Sequence, residues 1–350
     1  MTVTPGSPRI SLVLGSSQHP AEIVAAAEAA ERGGFDELWV GEDYFYTGAI
    51  AAAGAVLAAT RLPVGIGIVP TTSRHPALLA MELATLAGLY PGRLRAGVGA
   101  GVPDWLDQMG IRSKTPLSSV RDVIAALRTL LAGDTLTVEA SSYRAREVQL
   151  AHPPTVVPPI LAGVGGPKAL AMSGAAADGT VLSVLAGTRY VEWAARTVAA
   201  GGGGPEHDLV AYVLCSMDDD ATIARERLRE LFGLYLLAGP RNPMTEAHGI
   251  ADEAEALAAL DFDDAVRAIP NAWLDELAVV GTPADCAKRI GALAEAGADC
   301  VALCLLPGED GTAQVDRLSR DLLPLIRARS AGAAPRRPAG PAHITDRRSR

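Results

Sequence analysis

The 350-residue sequence lacks the cysteine and histidine patterns that hold disulfides or metal ions. It has four cysteines, none of them in a CxxC pair, and all four lie within apolar runs. This pattern predicts buried free thiols in a reducing compartment. No HxH, HExxH or clustered Cys/His motif occurs, so we expect no metal centre. A GxSxG nucleophile elbow is also absent, which argues against hydrolases of that type.

The sequence also lacks an apolar run of about 18 residues, the length that a membrane-spanning helix needs. Its first ten residues, MTVTPGSPRI, do not combine a charged start with a long apolar segment, so we expect no signal peptide. The formal net charge of −9 argues against nucleic-acid binding through overall electrostatics. We therefore expect a soluble, cytoplasmic protein that binds small molecules, with no nucleic-acid or membrane partner.

The sequence is rich in apolar runs that alternate with Ala-rich segments of helical period. Several of these segments begin near Pro, Ser, Thr or Asp and end on Gly, which is typical of helix ends. Eight strand-like runs separated by helices predict an α/β fold, a closed (β/α)8 TIM barrel, with an open doubly wound sheet as the alternative. The expected strands cover residues 10–15, 36–41, 62–70, 93–101, 159–163, 179–184, 209–217 and 299–307.

Two segments interrupt this alternation. Residues 133–154 have a period of two around Ser141-Ser142, which predicts a β-hairpin inserted before strand five. Residues 232–282 are longer than a simple crossover and show no clear strand, so we expect a lid-like insertion before strand eight. The barrel domain is predicted to cover residues 1–328, and the Pro-, Gly- and Arg-rich residues 329–350 a disordered basic tail.

Glycines stand at the ends of two expected strands, in Gly99-Ala100-Gly101 and in Gly163-Val164-Gly165-Gly166. Because glycine has no Cβ, a flat or phosphorylated ligand can approach the backbone there. Pro167 and Lys168 then begin a helix, whose free N–H groups can bind a phosphate. The alternative is that these glycines only form tight turns. GxGxxG is absent, so this is not a Rossmann fingerprint.

Charged side chains follow two other expected strands. Glu42 and Asp43 come after strand two, where they could orient a ring or move a proton, or could be a solvated charge and a helix cap. Arg74 and His75 come after strand three and could contact a ligand or cap the next helix. These are the candidate functional groups, because the carboxyl ends of barrel strands form the active-site face.

Several motifs together resemble the luciferase-like monooxygenase superfamily, in particular its deazaflavin (coenzyme F420) oxidoreductases. They are GFDELWVGEDYF, VGIGIVPTTSRHPALLAMELATL, GRLRAGVGAG, VQLAHPPTVVPPILAGVGGPKALAMSGAAADG and VGTPADCAKRI. The resemblance runs from about Ile10 to Ile326. It implies that the cofactor phosphate lies on the loop from Gly163 to Lys168, and that the ring lies over a non-prolyl cis peptide between Gly67 and Ile68.

The resemblance also implies roles for individual residues. Members that act on a sugar phosphate or a methylene-pterin often have Asp-His after strand two; here Glu42-Asp43 stands there, so these two activities are not predicted. We assign Glu42 to cofactor positioning, Asp43 to proton transfer and His75 to bracing the strand-three loop. The expected catalytic residues are thus Asp43, Glu42 and His75, and the expected cofactor-binding residues are Glu42, Gly67, Ile68, Val69, Gly99, Ala100, Gly101, Ala162, Gly163, Val164, Gly165, Gly166 and Lys168.

The function implied by the resemblance is hydride transfer between F420 and a small organic substrate that the sequence does not identify. Arg112 and Lys114, after strand four, could contact the acidic tail of that coenzyme. The alternatives are an FMN-dependent monooxygenase and, further removed, a flavin-binding protein without turnover. Superfamily members are often dimers through the helices after strands two and three, so a homodimer is expected, with internal packing of the Ala-rich second helix as the alternative.

Overall fold

The computed structural model describes residues 8–332. Eight parallel strands form a closed ring, in which each pairs with two others and the last strand pairs with the first. The closure leaves no strand edge, so the predicted TIM barrel is confirmed and the open-sheet alternative is wrong. In ring order the strands are β1 (Arg9–Leu14), β2 (Glu37–Val40), β3 (Val64–Pro70), β4 (Leu94–Gly99), β7 (Ile160–Gly163), β8 (Gly179–Leu182), β9 (Asp208–Met217) and β11 (Cys300–Cys304).

Helices connect consecutive barrel strands and pack on the outside of the ring. Many begin with Pro in the first turn, where its missing N–H has no intrahelical acceptor in any case. The helices of the barrel wall are α1 (Pro20–Gly33), α2 (Ala49–Ala59), α3 (Pro76–Leu89), α4 (Pro103–Gln108), α5 (Pro116–Leu131), α6 (Pro167–Ala176), α7 (Thr188–Ala200), α13 (Pro283–Glu295), α14 (Gly311–Asp321) and α15 (Leu323–Gly332). No described helix is long and apolar enough to cross a membrane.

Side chains along the strands divide into an outer and an inner core, because successive residues point to opposite faces of a sheet. Leu12, Ile66 and Leu303 belong to the outer core between strands and helices. Trp39 and Tyr212 belong to the inner core, which continues into helices above the barrel. The inner core therefore reaches upward from the barrel interior to the face where the strands end.

A charged network closes the opposite, amino-terminal end of the barrel. Arg9 donates to Asp208 at 2.6 Å and to the buried Glu37 at 3.2 Å. Arg95 forms ion pairs with the same two carboxylates. Trp39 Nε1 donates to Glu37 Oε1 at 2.8 Å, which satisfies the remaining oxygen. Two positive and two negative groups from four strands thus balance one another where the barrel is closed.

Both predicted insertions are present. An antiparallel hairpin, β5 (Leu136–Glu139) and β6 (Arg144–Val148), precedes β7. After β9 the chain forms helices that pack over the carboxyl end of the inner core. They are α8 (Ala221–Ala238), α9 (Pro243–His248), α10 (Ala251–Ala258), α11 (Phe262–Ala268) and α12 (Asn271–Leu277). The expectation of no strand in 232–282 was wrong, because β10 (Val279–Gly281) pairs with the last residues of β9.

The predicted start of the basic tail needs a correction. Helix α15 continues to Gly332, so the first four residues assigned to the tail, 329–332, are helical. The remaining part of the predicted tail, residues 333–350, lies outside the described residues.

Candidate active site

A bulge at the end of β3 is the centre of the candidate site. Ile66 pairs with Ala96 and Val69 with Val98, so Gly67 and Ile68 together oppose the single residue Gly97. An extra residue of this kind turns two consecutive side chains to the same face. Both bulge residues remain partly exposed at the barrel mouth. The Gly67–Ile68 peptide bond is cis, as the resemblance implied, and Tyr44–Phe45 is a second cis bond.

The glycines at the neighbouring strand ends accommodate this bulge. A Cβ on Gly99 would lie 2.9 Å from Ile68 Cδ1, and a Cβ on Gly163 would lie 2.6 Å from Ile68 Cγ2. The Ile68 side chain therefore occupies the space that these glycines leave. The absence of a Cβ at Gly99 and Gly163 thus makes room for Ile68, and the assignment of these two glycines to the cofactor site stays a prediction.

Other predicted cofactor residues also serve the chain itself. Ala162 and Val69 are buried in the outer core, so their side chains do not line the barrel mouth. Ala100 packs against the same outer core. Gly101 has a φ of 79°, a left-handed conformation that favours glycine, and a Cβ there would lie 2.9 Å from Pro70 Cβ. The assignment of these four residues to the cofactor site stays a prediction, and any contact of Ala162 or Val69 with a ligand at the mouth would be through the backbone.

The loop after β7 leaves the amino end of α6 open. Gly166 is the N-cap of this ten-residue helix, and a Cβ built on it would meet no atom within 4 Å. Tyr190 donates to the Gly165 carbonyl at 2.8 Å and so holds the loop from below. Val164 is partly exposed, and Lys168 is exposed on the first turn. Free N–H groups, open space and a cation together suit an anionic group.

Glu42 links three elements around the mouth. One of its carboxylate oxygens is ion-paired with Arg74, and the other accepts from the backbone N–H of Ala49, the first residue of α2, at 3.3 Å. Arg74 also contacts Glu82 on α3 at 3.3 Å. Because both oxygens of this buried carboxylate are engaged, Glu42 fixes Arg74 and the start of α2 in place.

Asp43 is exposed at the mouth and keeps one carboxylate oxygen available. Ser16 Oγ, after β1, donates to Asp43 Oδ2 at 2.6 Å. A Cβ on Gly41 would lie 3.6 Å from both that oxygen and the Gly67 carbonyl, so Asp43 lies beside the bulge. Burial raises the pKa of the Cys304 thiol in the inner core to about 12, and the charge of Asp43 contributes to this shift.

His75 is held by two hydrogen bonds. Its Nδ1 accepts from the backbone N–H of Ala77 at 3.1 Å, so the proton is on Nε2, which donates to the Arg144 carbonyl at 2.8 Å. The ring thereby joins the N-terminus of α3 to the hairpin. The bracing role predicted for His75 fits this geometry, whereas a catalytic role does not, because neither ring nitrogen is free. His19 likewise caps α1 through Nδ1.

Tyr212 was missed by the sequence reasoning. It lies on β9 inside the barrel, edge-on to Trp39, and a Cβ on Gly67 would collide with its hydroxyl oxygen. That hydroxyl is buried and has no hydrogen-bond partner among the described residues. Burial raises the pKa of Tyr212 well above its ordinary value. The sequence around Tyr212 gives no sign that this residue contacts Gly67, because only closure of the barrel brings β9 opposite β3.

A cavity of about 520 Å3 extends from the β3 end towards the hairpin. It is lined by the loop at 71–76, the segment at 110–115 and the hairpin turn at 141–143. Arg74 therefore contacts Glu42 at the mouth and also lines this cavity. Its size is within the range of small-molecule sites, about 300–1,000 Å3.

Comparison with known proteins identifies the family. A family model described as luciferase-like monooxygenase matches residues 3–300. The chain belongs to the luciferase-like monooxygenase family. The 5,10-methylenetetrahydromethanopterin reductase of Methanolobus tindarius is 30% identical over 289 residues, 79% of this chain and 87% of that protein. The F420-dependent glucose-6-phosphate dehydrogenase of Beutenbergia cavernae is 28% identical over 329 residues, 89% of this chain and 94% of that protein.

Solved structures agree in fold. The coenzyme F420-dependent tetrahydromethanopterin reductase of Methanopyrus kandleri has a TM-score of 0.80 at 22% identity, covering 91% of this chain and 99% of that one. In this luciferase-like barrel, three features of the candidate site lie at the carboxyl face of the strands. They are the β3 bulge, the open end of α6 and the Glu42-Asp43 loop.

Proposed function

We propose that this chain is an F420-dependent oxidoreductase that transfers a hydride between the deazaflavin and a small organic substrate. The observation that carries the proposal is the β3 bulge, which exposes Gly67 and Ile68 at the barrel mouth. The relatives support the cofactor, since the Beutenbergia cavernae protein and the Methanopyrus kandleri structure are both named as F420-dependent.

The residues of the mouth fit such a cofactor. Gly67 and Ile68 offer a partly exposed surface for a ring, backed by Tyr212 and Trp39. The open N-terminus of α6, with Gly166 and Lys168, offers N–H groups and a positive charge for the phosphate. The helices above the barrel extend the apolar inner core, which would keep water from a bound ring.

When bound, F420 supplies or accepts a hydride at a ring carbon, and it reacts poorly with oxygen. An alcohol that loses a hydride must also lose its hydroxyl proton. A carbonyl that gains a hydride at carbon must gain a proton at oxygen. We assign the transfer of this proton to Asp43, whose Oδ2 accepts a hydrogen bond from Ser16 and whose carboxylate lies beside the bulge. Such a step requires an acid or base that reaches the reacting oxygen of the substrate by a direct hydrogen bond or through one water.

Glu42 acts in this scheme as a positioning residue. Its buried carboxylate holds Arg74, and Arg74 lies between the Glu42-Asp43 loop and the cavity. Glu42→Gln keeps the shape and the bond from Ala49 but weakens the charge pair with Arg74. We expect Glu42→Gln to weaken cofactor binding while leaving the fold intact. The reason is that Arg74 loses the negative charge that holds it at the barrel mouth.

The test is a titration of the protein with F420 and with FMN, followed by a substrate screen with each, with and without oxygen. We expect tight binding of F420 and substrate-dependent change of its absorbance without oxygen consumption. Tight FMN binding with oxygen consumption would favour the monooxygenase alternative. Binding of either without turnover of any substrate would favour a non-catalytic role.

We also propose a homodimer through the helices after β2 and β3. Helix α3 exposes Leu78, Met81 and Leu89, a row of apolar side chains on its outer face. Sedimentation at micromolar concentration should give twice the mass of the chain, and Met81→Glu should shift the protein to monomer. A monomer in the unmodified protein would contradict this assembly.

A further inference from the structure

A turn at the barrel mouth carries an unusual run of aromatic side chains. Phenylalanine, tyrosine and tryptophan make up only 4% of the sequence, yet Tyr44, Phe45 and Tyr46 follow one another. Phe45 is 66% exposed and Tyr46 is 63% exposed, more than any other aromatic side chain among residues 8–332. Adjacent exposed rings form an apolar patch, and such patches are typical of binding surfaces.

The same turn contains Asp43. The backbone N–H of Tyr46 donates to the Asp43 carbonyl at 3.0 Å, which closes a four-residue turn from Asp43 to Tyr46. The carboxylate of Asp43 lies beside the bulge, since a Cβ on Gly41 would lie 3.6 Å from both Asp43 Oδ2 and the Gly67 carbonyl. A molecule bound between Asp43 and the bulge is therefore within reach of the two exposed rings.

Neighbouring elements anchor this turn on both sides. The ring of Tyr44 packs edge-on against Trp105 of α4, with 6.3 Å between the ring centroids. The backbone N–H of Thr47 donates to the carbonyl of Ser16, which follows β1, at 3.3 Å. Because the turn is already fixed at both ends, a ligand that stacks on its rings does not have to order it on binding.

Tyr235 provides a further aromatic side chain from the helices above the barrel. It lies on α8 and is 48% exposed. Burial of its hydroxyl, followed by the charges of the Cys304 and Asp43 groups, raises the pKa of Tyr235 to about 12. The Tyr235 hydroxyl and the turn thus border the same space at the mouth.

We propose that Phe45, Tyr46 and Tyr235 bind the substrate, and that the substrate carries a planar aromatic ring. This inference names the substrate class for the proposed function and rests on that function. Aromatic rings attract one another in offset-stacked and edge-on arrangements beyond the effect of the area that they bury, whereas a saturated ring has no such attraction.

The experiment uses the protein saturated with oxidised F420 and two ketones with the same number of carbon atoms, acetophenone and cyclohexyl methyl ketone. A ketone and the oxidised cofactor cannot exchange a hydride, because neither has one to donate, so F420 fluorescence measures binding alone. Only acetophenone has a planar aromatic ring, while the saturated ring is no less apolar. Acetophenone should therefore bind about fivefold more tightly.

Substitutions in the turn locate this preference. Phe45→Ala and Tyr46→Ala should each raise the Kd of acetophenone about fivefold and that of the saturated ketone about twofold. Phe45→Tyr keeps the ring and should bind both ketones as the unmodified protein does. Leu325→Ala removes an exposed apolar side chain from α15 on the outer wall; it is the matched control and should change neither Kd.

The contrary outcomes can be told apart. Equal affinity for the two ketones, no binding of acetophenone, or no effect of Phe45→Ala and Tyr46→Ala would overturn the inference while the proposed function stands. A change in sedimentation mass in Phe45→Ala, with ketone binding unchanged, would assign the rings to contact with a second copy of the chain and would overturn it as well. F420 is titrated first, and its failure to bind the unmodified protein would overturn the proposed function together with this inference.

Discussion

Replacement of Gly166 by valine tests the phosphate site without disturbing the fold. Gly166 has φ −86° and ψ 162°, an extended conformation open to any residue, and no atom lies within 4 Å of a Cβ built on it. A valine therefore fits without collision or backbone strain. Its branched side chain would enter the open space beside the N-terminus of α6, where we expect the phosphate to bind.

The size of the effect follows from what that helix end offers. A charge-assisted hydrogen bond contributes about 1.5–3 kcal/mol, and a helix N-terminus adds about 0.3–1 kcal/mol for an anion. If valine displaces the phosphate enough to break one such bond, the loss is about 2–3 kcal/mol. At 1.4 kcal/mol per factor of ten, the Kd for F420 should rise about thirty- to hundredfold.

The assay is a fluorescence titration with F420 and with the phosphate-free deazaflavin core. The Kd of the core for the variant and for the unmodified protein should agree within about twofold, because the lost contact involves only the phosphate. Gly204→Val is the matched control, since Gly204 is exposed, meets no atom within 4 Å and lies before β9 at the opposite end of the barrel. Unchanged F420 affinity in Gly166→Val, or an equal loss for the core, would refute the phosphate site.

Three further predictions concern the proton, the barrel floor and pH. Asp43→Asn should slow the chemical step about a hundredfold in single-turnover absorbance measurements while the Kd for F420 stays nearly unchanged; full activity would assign the proton to water or to the substrate. Glu37→Gln should lower the free energy of unfolding in urea by about 3 kcal/mol, because it leaves Arg9 and Arg95 short of a buried partner. The exposed pair of Glu192 and Arg196 is the comparison, and Glu192→Gln should cost less than about 0.5 kcal/mol; equal losses would contradict the role of the network. Burial lowers the pKa of both His207 and His248 from 6.5, so the unfolded chain binds protons that the folded chain does not. Their contribution to stability is therefore complete above pH about 6.5 and is lost as pH falls through the folded pKa values. Tm should fall between pH 7 and pH 5, and less steeply in His248→Gln; an unchanged slope would exclude His248.

The periodicity of the sequence predicted the barrel, because strand and helix patterns are local. Each expected strand, from 10–15 to 299–307, overlaps an observed one, and the hairpin at 133–154 was visible from its period of two. Apolar spacing and turn residues act within one element, so they are readable without knowing what packs against it. The basis for Gly67–Ile68 was different, since a family resemblance and not periodicity pointed to that bond.

The tertiary structure decided which residues share a space. Gly99 and Gly163 look like ligand-approach glycines in the sequence, but the side chain of Ile68 fills the space above both. Glu42 and Arg74 are 32 residues apart and meet only because β2 and β3 are adjacent in the barrel. Tyr212 faces the bulge for a similar reason, across the barrel interior. Sequence patterns determine which side of a helix or strand is buried. Closure of the barrel determines which residues of other strands face that side, because contacts between distant segments depend on strand order and register.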